Sequence, residues 1–366
     1  MKPSCTILQI VPRAPGSHDG VGDYARILAT VLRREHGIDT IFAAASTFSS
    51  GVTSDGFKVL SPWPQVIREA KVLEPAGVIL HYVNYGYDPR GIPLRLPRSV
   101  RELKGPARLI TIFHELYARG SLRQSAFWLR PLQKRLARIL AGLSNAAVVS
   151  SEFYRSQLRV LSPSTPVVVQ PVCSNLGEPE LSRCDLESRD PHRWAICGGT
   201  QLIERSLDSF IRYCQKLPGS LAPRELVVLG GKSSSVRSSL TALKEVRSTY
   251  HPEVDPSAAS DLLSSCTFGW IDYFVHSDIP LGAILKSSAF AALCAHGVVP
   301  VTPQSGDPIS HRGDALPGPY FINHSGQHLP VESECAEIAF AVYSWYRRNA
   351  AAKHLAAAVE SALFSA

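Results

Sequence analysis

The sequence predicts an α/β protein of two domains, each a mostly parallel sheet with helices on both faces. Three observations carry that prediction. Short apolar runs alternate with amphipathic stretches along most of the chain, which is the pattern of strand–helix–strand units. Several runs end in glycine-rich turns, among them Gly198-Gly199-Thr200 and Gly230-Gly231-Lys232-Ser233. With 366 residues and 45% hydrophobic side chains, the chain is long enough for two cores, since domains commonly run about 100 to 200 residues.

Residues 6–11 read as a buried strand, and the loop at 12–25 leads into a helix in which Tyr24, Ile27, Leu28, Val31 and Leu32 recur at helical spacing. Gly20 and Gly22 in that loop allow a sharp turn or the close approach of a ligand, and a helix N-terminus offers N–H groups to an anion or a polar sugar. The stretch lacks a full G-x-G-x-x-G, so it is not the dinucleotide fingerprint, and an ordinary strand-to-helix turn competes with the ligand site. Strands follow at 39–45 and 57–60, separated by a polar connection at 47–56. A turn at Ser61-Pro62-Trp63-Pro64, a short helix at 66–73 and a strand at 77–81 come next.

That last strand delivers a loop at 81–91 holding His81, Tyr82, Asn84, Tyr85 and Tyr87. Ring faces and hydrogen-bonding groups of this kind suit a sugar, although tyrosines packed for stability give the same sequence. The strand at 108–113 brings His114 and Glu115 to the same sheet edge, where His114 can bridge substrate hydroxyls or a phosphate. Glu115 can orient it or accept a hydroxyl proton; mutual capping is the alternative. Because Asp23, Tyr82 and His114 all follow predicted strands, they are expected to converge on one cleft.

Between 101 and 138 basic residues outnumber acidic ones, and Phe127, Trp128, Leu132, Leu136, Ile139, Leu140 and Leu143 make the later part an amphipathic helix. Arg130, Lys134, Arg135 and Arg138 fall on its wetter side, which suits an anionic membrane surface, a phosphorylated acceptor or plain solvent. A strand at 146–150, a helix at 151–158 and a closing strand at 165–170 complete the first domain. Residues 171–191, polar and proline-bearing, read as the connection.

The second domain opens with a strand at 193–197 and the Gly198-Gly199-Thr200 turn, then a helix near 207–217 and a strand at 225–229 before Gly230-Gly231. Neither glycine turn is a complete ATP-binding motif. Arg205 and Lys232 are the phosphate-binding candidates of this part, each equally readable as a solvated helix-end charge. Residues 281–297 form a glycine loop feeding a tightly packed helix, with Lys286, Ser287 and Ser288 placed to meet a diphosphate at its N-terminus. Strands at 298–302 and 320–322, a polar turn at Asn323-His324-Ser325 and helices at 332–345 and 350–363 finish the chain.

The formal charge of +7 suits phosphate-bearing small molecules or anionic lipid surfaces. Without a basic tail or interleaved aromatics, it argues against a nucleic-acid partner. The 8 cysteines show no C-x-x-C spacing, so neither a zinc site nor a disulfide framework is expected, and no metal is assigned. Met1-Lys2-Pro3 runs straight into the first strand and no apolar stretch is long enough to cross a bilayer. A cytoplasmic protein, peripheral at most to the inner face of a membrane, is therefore expected.

Gly20-Val21-Gly22-Asp23-Tyr24, then Phe113-His114-Glu115, then the run from Lys286 to Val301 resemble successive landmarks of retaining glycosyltransferases of the GT-B architecture, particularly the glycogen-synthase-like group called family 4. The resemblance spans nearly the whole chain, and the late lysine-to-glycine segment is its most specific part. It implies two facing Rossmann-like domains with C-terminal crossover helices: an acceptor-binding domain at 1–175, a nucleotide-sugar-binding domain at 190–340, and a segment at 341–366 packing back on the first. It places Gly20 and Gly22 at the donor phosphates, His114 near the transferred sugar, and Arg205 and Lys286 around the diphosphate. Gly199, Lys232, Ser287 and Ser288 join the donor side, while Asp23, Tyr82, Asn84, Tyr85 and Glu115 face the acceptor.

The resemblance also implies a function: transfer of a sugar from a nucleotide-diphosphate donor, used as substrate with no cofactor, to a glycan, lipid-linked or small-molecule acceptor. The sequence departs from the family at Ile284 and Ala292, where many relatives carry a pair of glutamates, and Glu204-Arg205-Ser206 stands near a usual Lys-Gly pair. A noncatalytic sugar-binding or assembly subunit, or a nucleotide-sugar epimerase or phosphorylase on the same fold, therefore remains an alternative.

Overall fold

The computed structural model describes residues 5–16, 20–45, 50–61, 63–120, 124–214, 222–275, 279–304, 306–317, 320–321 and 330–364. The expected turn at Asn323-His324-Ser325, the middle of the 12–25 loop and part of the 47–56 connection lie outside these residues. The chain divides into two compact units, 1–171 with 352–366, and 172–351.

The first unit runs β1 (Cys5–Val11), α1 (Gly20–His36), β2 (Ile38–Ala44), β3 (Gly51–Val52), β4 (Lys58–Leu60), α2 (Trp63–Leu73) and β5 (Gly77–Tyr82). It continues with α3 (Asn84–Tyr87), α4 (Leu96–Lys104), β6 (Arg108–Phe113), α5 (Ser125–Leu143), β7 (Ala146–Val149), α6 (Glu152–Leu161) and β8 (Val167–Val169). The strands form an eight-stranded sheet in the order β3-β4-β2-β1-β5-β6-β7-β8. All neighbours are parallel except β3 on β4. β1 is buried over 7–11 without alternation, as a central strand covered on both faces must be.

The second unit runs α7 (Arg183–Glu187), β9 (Arg193–Cys197), α8 (Thr200–Tyr213), β10 (Glu225–Leu229), α9 (Ser234–Leu240), β11 (Arg247–His251), α10 (Pro256–Ser264) and β12 (Phe268–Trp270). A 3-10 helix (Leu281–Lys286) follows, then α11 (Ser288–Ala295), β13 (Val299–Thr302), β14 (Ser310–His311), β15 (Asp314–Ala315), β16 (Tyr320–Phe321) and α12 (Cys335–Asn349). Its main sheet is parallel throughout, in the order β11-β10-β9-β12-β13-β16. Trp194 on β9 stacks on Phe268 of β12 at 4.8 Å between ring centroids. α8 carries no side-chain cap at Gly199, so its hold comes from Ile203, Leu207 and Phe210, all fully buried. Each such side chain contributes about 1.5–3 kcal/mol, more than the ~1 kcal/mol of a cap.

Residues 172–191 of the expected connection belong to the second compact unit. The hydroxyl of Tyr346 on α12 accepts from the Ser174 N–H and donates to Glu178, and Tyr343 bonds Pro179 and Leu181 in the same way. This strapping assigns all of α12 to the second unit, so the segment joining the first unit begins at 352 and not at 341. That segment is α13 (Ala352–Phe364), which packs on α1 and β6. Among the described residues, no helix is long and apolar enough to cross a membrane.

Helix α5 spends much of its charge internally. Arg138 Nε donates to the Leu161 carbonyl, Arg130 reaches the Gly120 carbonyl, and Lys134 lies over the Tyr117 ring. Arg135 and Trp128 remain exposed.

Candidate functional site

Each parallel sheet has one point where the strand order reverses, and ligands of open α/β sheets bind outside the carboxyl ends of the strands at such a point. In the first unit the chain leaves β1 toward β2 and β4, then returns to the other side of β1 as β5. The reversal therefore lies between β1 and β5. In the second unit it lies between β9 and β12, because β10 and β11 extend one side and β12 starts the other.

At the first reversal the sheet carries a polar chain through its interior. Gln9 of β1 and His81 of β5 are fully buried, and His81 Nε2 lies 2.7 Å from Gln9 Oε1. His81 Nδ1 lies 3.2 Å from Nε2 of His114, the first residue beyond β6. The His114 N–H donates to the Tyr82 carbonyl at 2.9 Å, which extends the ladder by one rung. The Tyr24 ring of α1 meets His114 edge-on at 5.0 Å. His114 is half-buried, so it is the member of this chain nearest solvent.

At the second reversal the turn after β9 is shaped by contact with its neighbours. Gly198 has φ +138°, and a Cβ there would stand 2.8 Å from the Leu202 side chain and 3.4 Å from Ala289 Cβ of α11. Gly230, after β10, has φ +91° and would place a Cβ 2.6 Å from the Gly198 carbonyl oxygen. Two glycine turns and the start of α11 are thus packed together at the carboxyl ends of β9 and β10. Arg205 of α8 spans the reversal: Nε and Nη2 donate to the carbonyls of Asp272 and Tyr273, just past β12, at 2.6 and 2.7 Å. The buried Asp272 carboxylate in turn accepts from the Gln304 amide.

Several expected site residues take other places. Tyr82 is the buried last residue of β5 and Asn84 is buried in α3, so neither is the exposed loop residue that acceptor binding requires. A short helix replaces the loop because Tyr87 clamps it, its hydroxyl lying 2.9 Å from the His81 carbonyl and 3.2 Å from that of Ile10. Tyr85 remains exposed. Gly20 and Gly22 do not turn the chain; both lie in the first turn of α1, along with Asp23, and the positive φ belongs to Gly16. Lys232 pairs with Glu253 in solvent, 2.9 Å apart. Ser287 caps α11, its hydroxyl accepting from the Phe290 N–H, while Lys286 and Ser288 flank it half-buried. Gly199 is the backbone cap of α8, and Glu115 sits half-buried beside His114.

Residue-by-residue reading of the sequence missed Gln9 and Asp272. The signal for Gln9 was present, a lone amide inside an apolar strand, and His81 holds a similar position in the next one. Among the described residues, no group of three or more His, Cys, Asp or Glu side chains is placed to hold a metal ion.

Buried imidazoles make the fold acid-sensitive. Burial holds the His81 pKa well below 6.5, with His114 adding to the effect, and burial pushes His296 down to about 4. His296 is structural: Nδ1 lies 2.7 Å from the Ala292 carbonyl and Nε2 2.8 Å from Ser260 Oγ. Unfolded histidine titrates near 6.5, so the unfolded chain binds more protons below that pH. Stability is therefore full above about 6.5 and falls as pH drops toward 4, His296 alone accounting for about 3 kcal/mol. Thermal unfolding followed from pH 7.5 to 4.5 is expected to show a falling midpoint, and His296→Gln to flatten the slope.

Comparison with solved structures defines the fold. The chain superposes on a structure described as alpha-glucosyltransferase (AGT) in complex with UDP, with a TM-score of 0.65 at 10% identity, over 98% of this chain and 99% of that one. The fold is GT-B. The same fold recurs in alpha-glucosyltransferase in complex with UDP-glucose and DNA containing an abasic site, at TM-score 0.62 and 11% identity, covering 98% of each chain. It recurs again in WaaG, a glycosyltransferase involved in lipopolysaccharide biosynthesis, at TM-score 0.51 and 12% identity, over 98% of this chain and 100% of that one. No protein-family model matches the chain, and no curated protein matches it by sequence. In GT-B terms both units are Rossmann-like domains, and identities this low speak for the fold alone.

Proposed function

We propose that the chain transfers a sugar, with retention at the anomeric carbon, from a nucleotide-diphosphate donor to a glycan, lipid-linked or small-molecule acceptor, as a relative of the glycogen-synthase-like group. The observation that carries this reading is the second reversal point, where the Gly198 and Gly230 turns and the α11 N-terminus are packed together and Arg205 of α8 holds the carbonyls just past β12. A diphosphate is the ligand such a place suits, because backbone N–H groups and a helix N-terminus hold anionic oxygens without side-chain bulk. On this reading Lys286, the remaining Arg205 N–H groups and the helix N-terminus stabilise the charge that grows on the leaving diphosphate. The departing phosphate accepts the acceptor's proton on the face it leaves, and His114 holds the transferred sugar. Gly199 and Ser288 lie along the diphosphate, with Tyr85, Glu115 and Asp23 on the acceptor side.

UDP-sugars are the first donors to test, since the alpha-glucosyltransferase neighbours hold UDP and UDP-glucose. The reading assigns peripheral contact with an anionic membrane to Trp128 and Arg135 on α5. It takes the acceptor to be something other than nucleic acid. A donor panel with mass analysis of donor loss and acceptor gain is expected to show a glycosylated product. The acceptors are glycans, lipid-linked sugars and duplex DNA. Absence of donor binding across the panel overturns the proposal, and DNA glycosylation overturns its acceptor half.

One observation favours a second reading, a noncatalytic nucleotide-sugar-binding subunit. Ile284 and Ala292, which stand where relatives carry glutamates, are both fully buried, so the apolar substitution is built into the packing. Donor binding without product on any acceptor is the outcome that selects it.

A further inference from the structure

We propose that Gln9 and His81 are positioning residues that hold His114 as its Nε2–H tautomer, with Nδ1 as its accepting nitrogen. The proposal rests on the reading of His114 as the residue at the transferred sugar.

Four side chains form one line. Gln9 Nε2 donates to Thr40 Oγ1 at 3.3 Å, Gln9 Oε1 lies 2.7 Å from His81 Nε2, and His81 Nδ1 lies 3.2 Å from His114 Nε2. Thr40, Gln9 and His81 are essentially inaccessible to water, so their polar atoms must satisfy one another. The lengths orient the line. A contact of 2.7 Å is in the normal range for N–H to oxygen, and it is too close for two nitrogens, which the His81–His114 pair keeps 3.2 Å apart. The amide oxygen of Gln9 therefore faces His81, and an oxygen only accepts. Nε2 of His81 must carry a proton.

Burial decides the next step. A fully buried imidazole stays neutral, in agreement with the downward shift of the His81 pKa, and a neutral imidazole has one N–H. His81 Nδ1 is therefore a lone pair, and it accepts from His114 Nε2–H. The tautomer of a histidine follows from the hydrogen bond its other nitrogen makes. His114 accordingly presents Nδ1 as the acceptor, and the near-parallel His81 and His114 rings, 18° apart, with Tyr24 edge-on, fix its plane.

The test is two-bond 15N–1H spectroscopy of the ligand-free, 15N-labelled full chain at a pH near 8, where imidazoles are neutral. His81→Gln and His114→Asn assign the two signals. Both residues are expected in the Nε2–H form. Gln9→Leu, which removes the acceptor, and Thr40→Val, which keeps the side-chain shape and removes the far anchor, are expected to shift His114 toward a mixture of tautomers. An Nδ1–H pattern for His114 in the parent chain, or an unchanged pattern in both variants, overturns the relay.

The kinetic arm separates the relay from the function. With donor KM within about twofold, Gln9→Leu is expected to lower kcat by about tenfold, a fraction of what a proton-handling side chain commonly contributes. Mixed tautomers with unchanged kcat uphold the relay and overturn the role of His114 at the sugar. Since the spectrum needs no donor, a chain without transferase activity still decides the tautomer.

Discussion

His114→Ala is expected to lower turnover of the nucleotide-sugar donor by about 10²–10⁴-fold while leaving donor affinity within a few-fold. The size follows from what one positioned polar side chain contributes when its interaction strengthens in the transition state. The split between turnover and affinity follows from the proposed assignment of the diphosphate to Gly198, Arg205 and Lys286 and of the transferred sugar to His114. His114 is half-buried and held by Tyr24 and His81, so the truncation leaves a small gap near the sheet edge and not in the core. Steady-state kinetics with isothermal titration of the donor, at matched unfolding midpoints, checks the prediction. Equal kcat in the variant removes His114 from the reaction.

The parallel sheets were readable because their strands leave a strong trace, short apolar runs ending at polar or glycine turns. β1, β5, β6, β9 and β10 fall within a residue of the runs that predict them. Elements missing from the sequence reading have weaker traces. β11 is Arg-Ser-Thr-Tyr-His at a sheet edge, with no buried residue, so no apolar run marks it. α3 has four residues and is held by the Tyr87 hydroxyl and not by periodicity. α4 begins with Leu96-Pro97 and is strongly charged over its open face, which resembles a basic loop when only charge is counted.

The candidate site was readable as positions and less so as roles. A parallel sheet sends every strand's carboxyl end to one side, so residues that follow its strands gather there, as His114 does one residue beyond β6. Whether a side chain then faces ligand or core depends on contacts distant in sequence. Tyr82 alternates inward as the last rung of β5 and packs on Phe113, whereas His114 lies one residue beyond β6. Ser287 looked like a phosphate ligand because hydroxyls at helix starts also serve as caps, and here its bond to Phe290 N–H takes the second role. Ile284 and Ala292 are fully buried, so a carboxylate at either position would be taken out of water, where an unpaired charge costs several kcal/mol.

Gly230→Ala is expected to damage both stability and donor binding, and Gly199→Ala to separate the two. At Gly230 the backbone has φ +91°, a region that costs an L-residue about 1–3 kcal/mol. The added methyl would also lie 2.6 Å from the Gly198 carbonyl oxygen, a backbone atom that cannot rotate away. Relief requires moving the turn after β9, and that turn is the proposed diphosphate cradle, so donor affinity is expected to fall at least about tenfold along with the unfolding midpoint. At Gly199 the φ is −76°, and nothing lies within 4 Å of where an alanine methyl would stand. Gly199→Ala is therefore expected to change stability by no more than about 0.5 kcal/mol. If its donor affinity nevertheless drops, the methyl occupies space that the diphosphate needs, and the cradle lies at the α8 N-terminus. A Gly230→Ala chain with parent-like midpoint and affinity would show that the two glycine turns do not act as one unit, and the proposed cradle would fall with it.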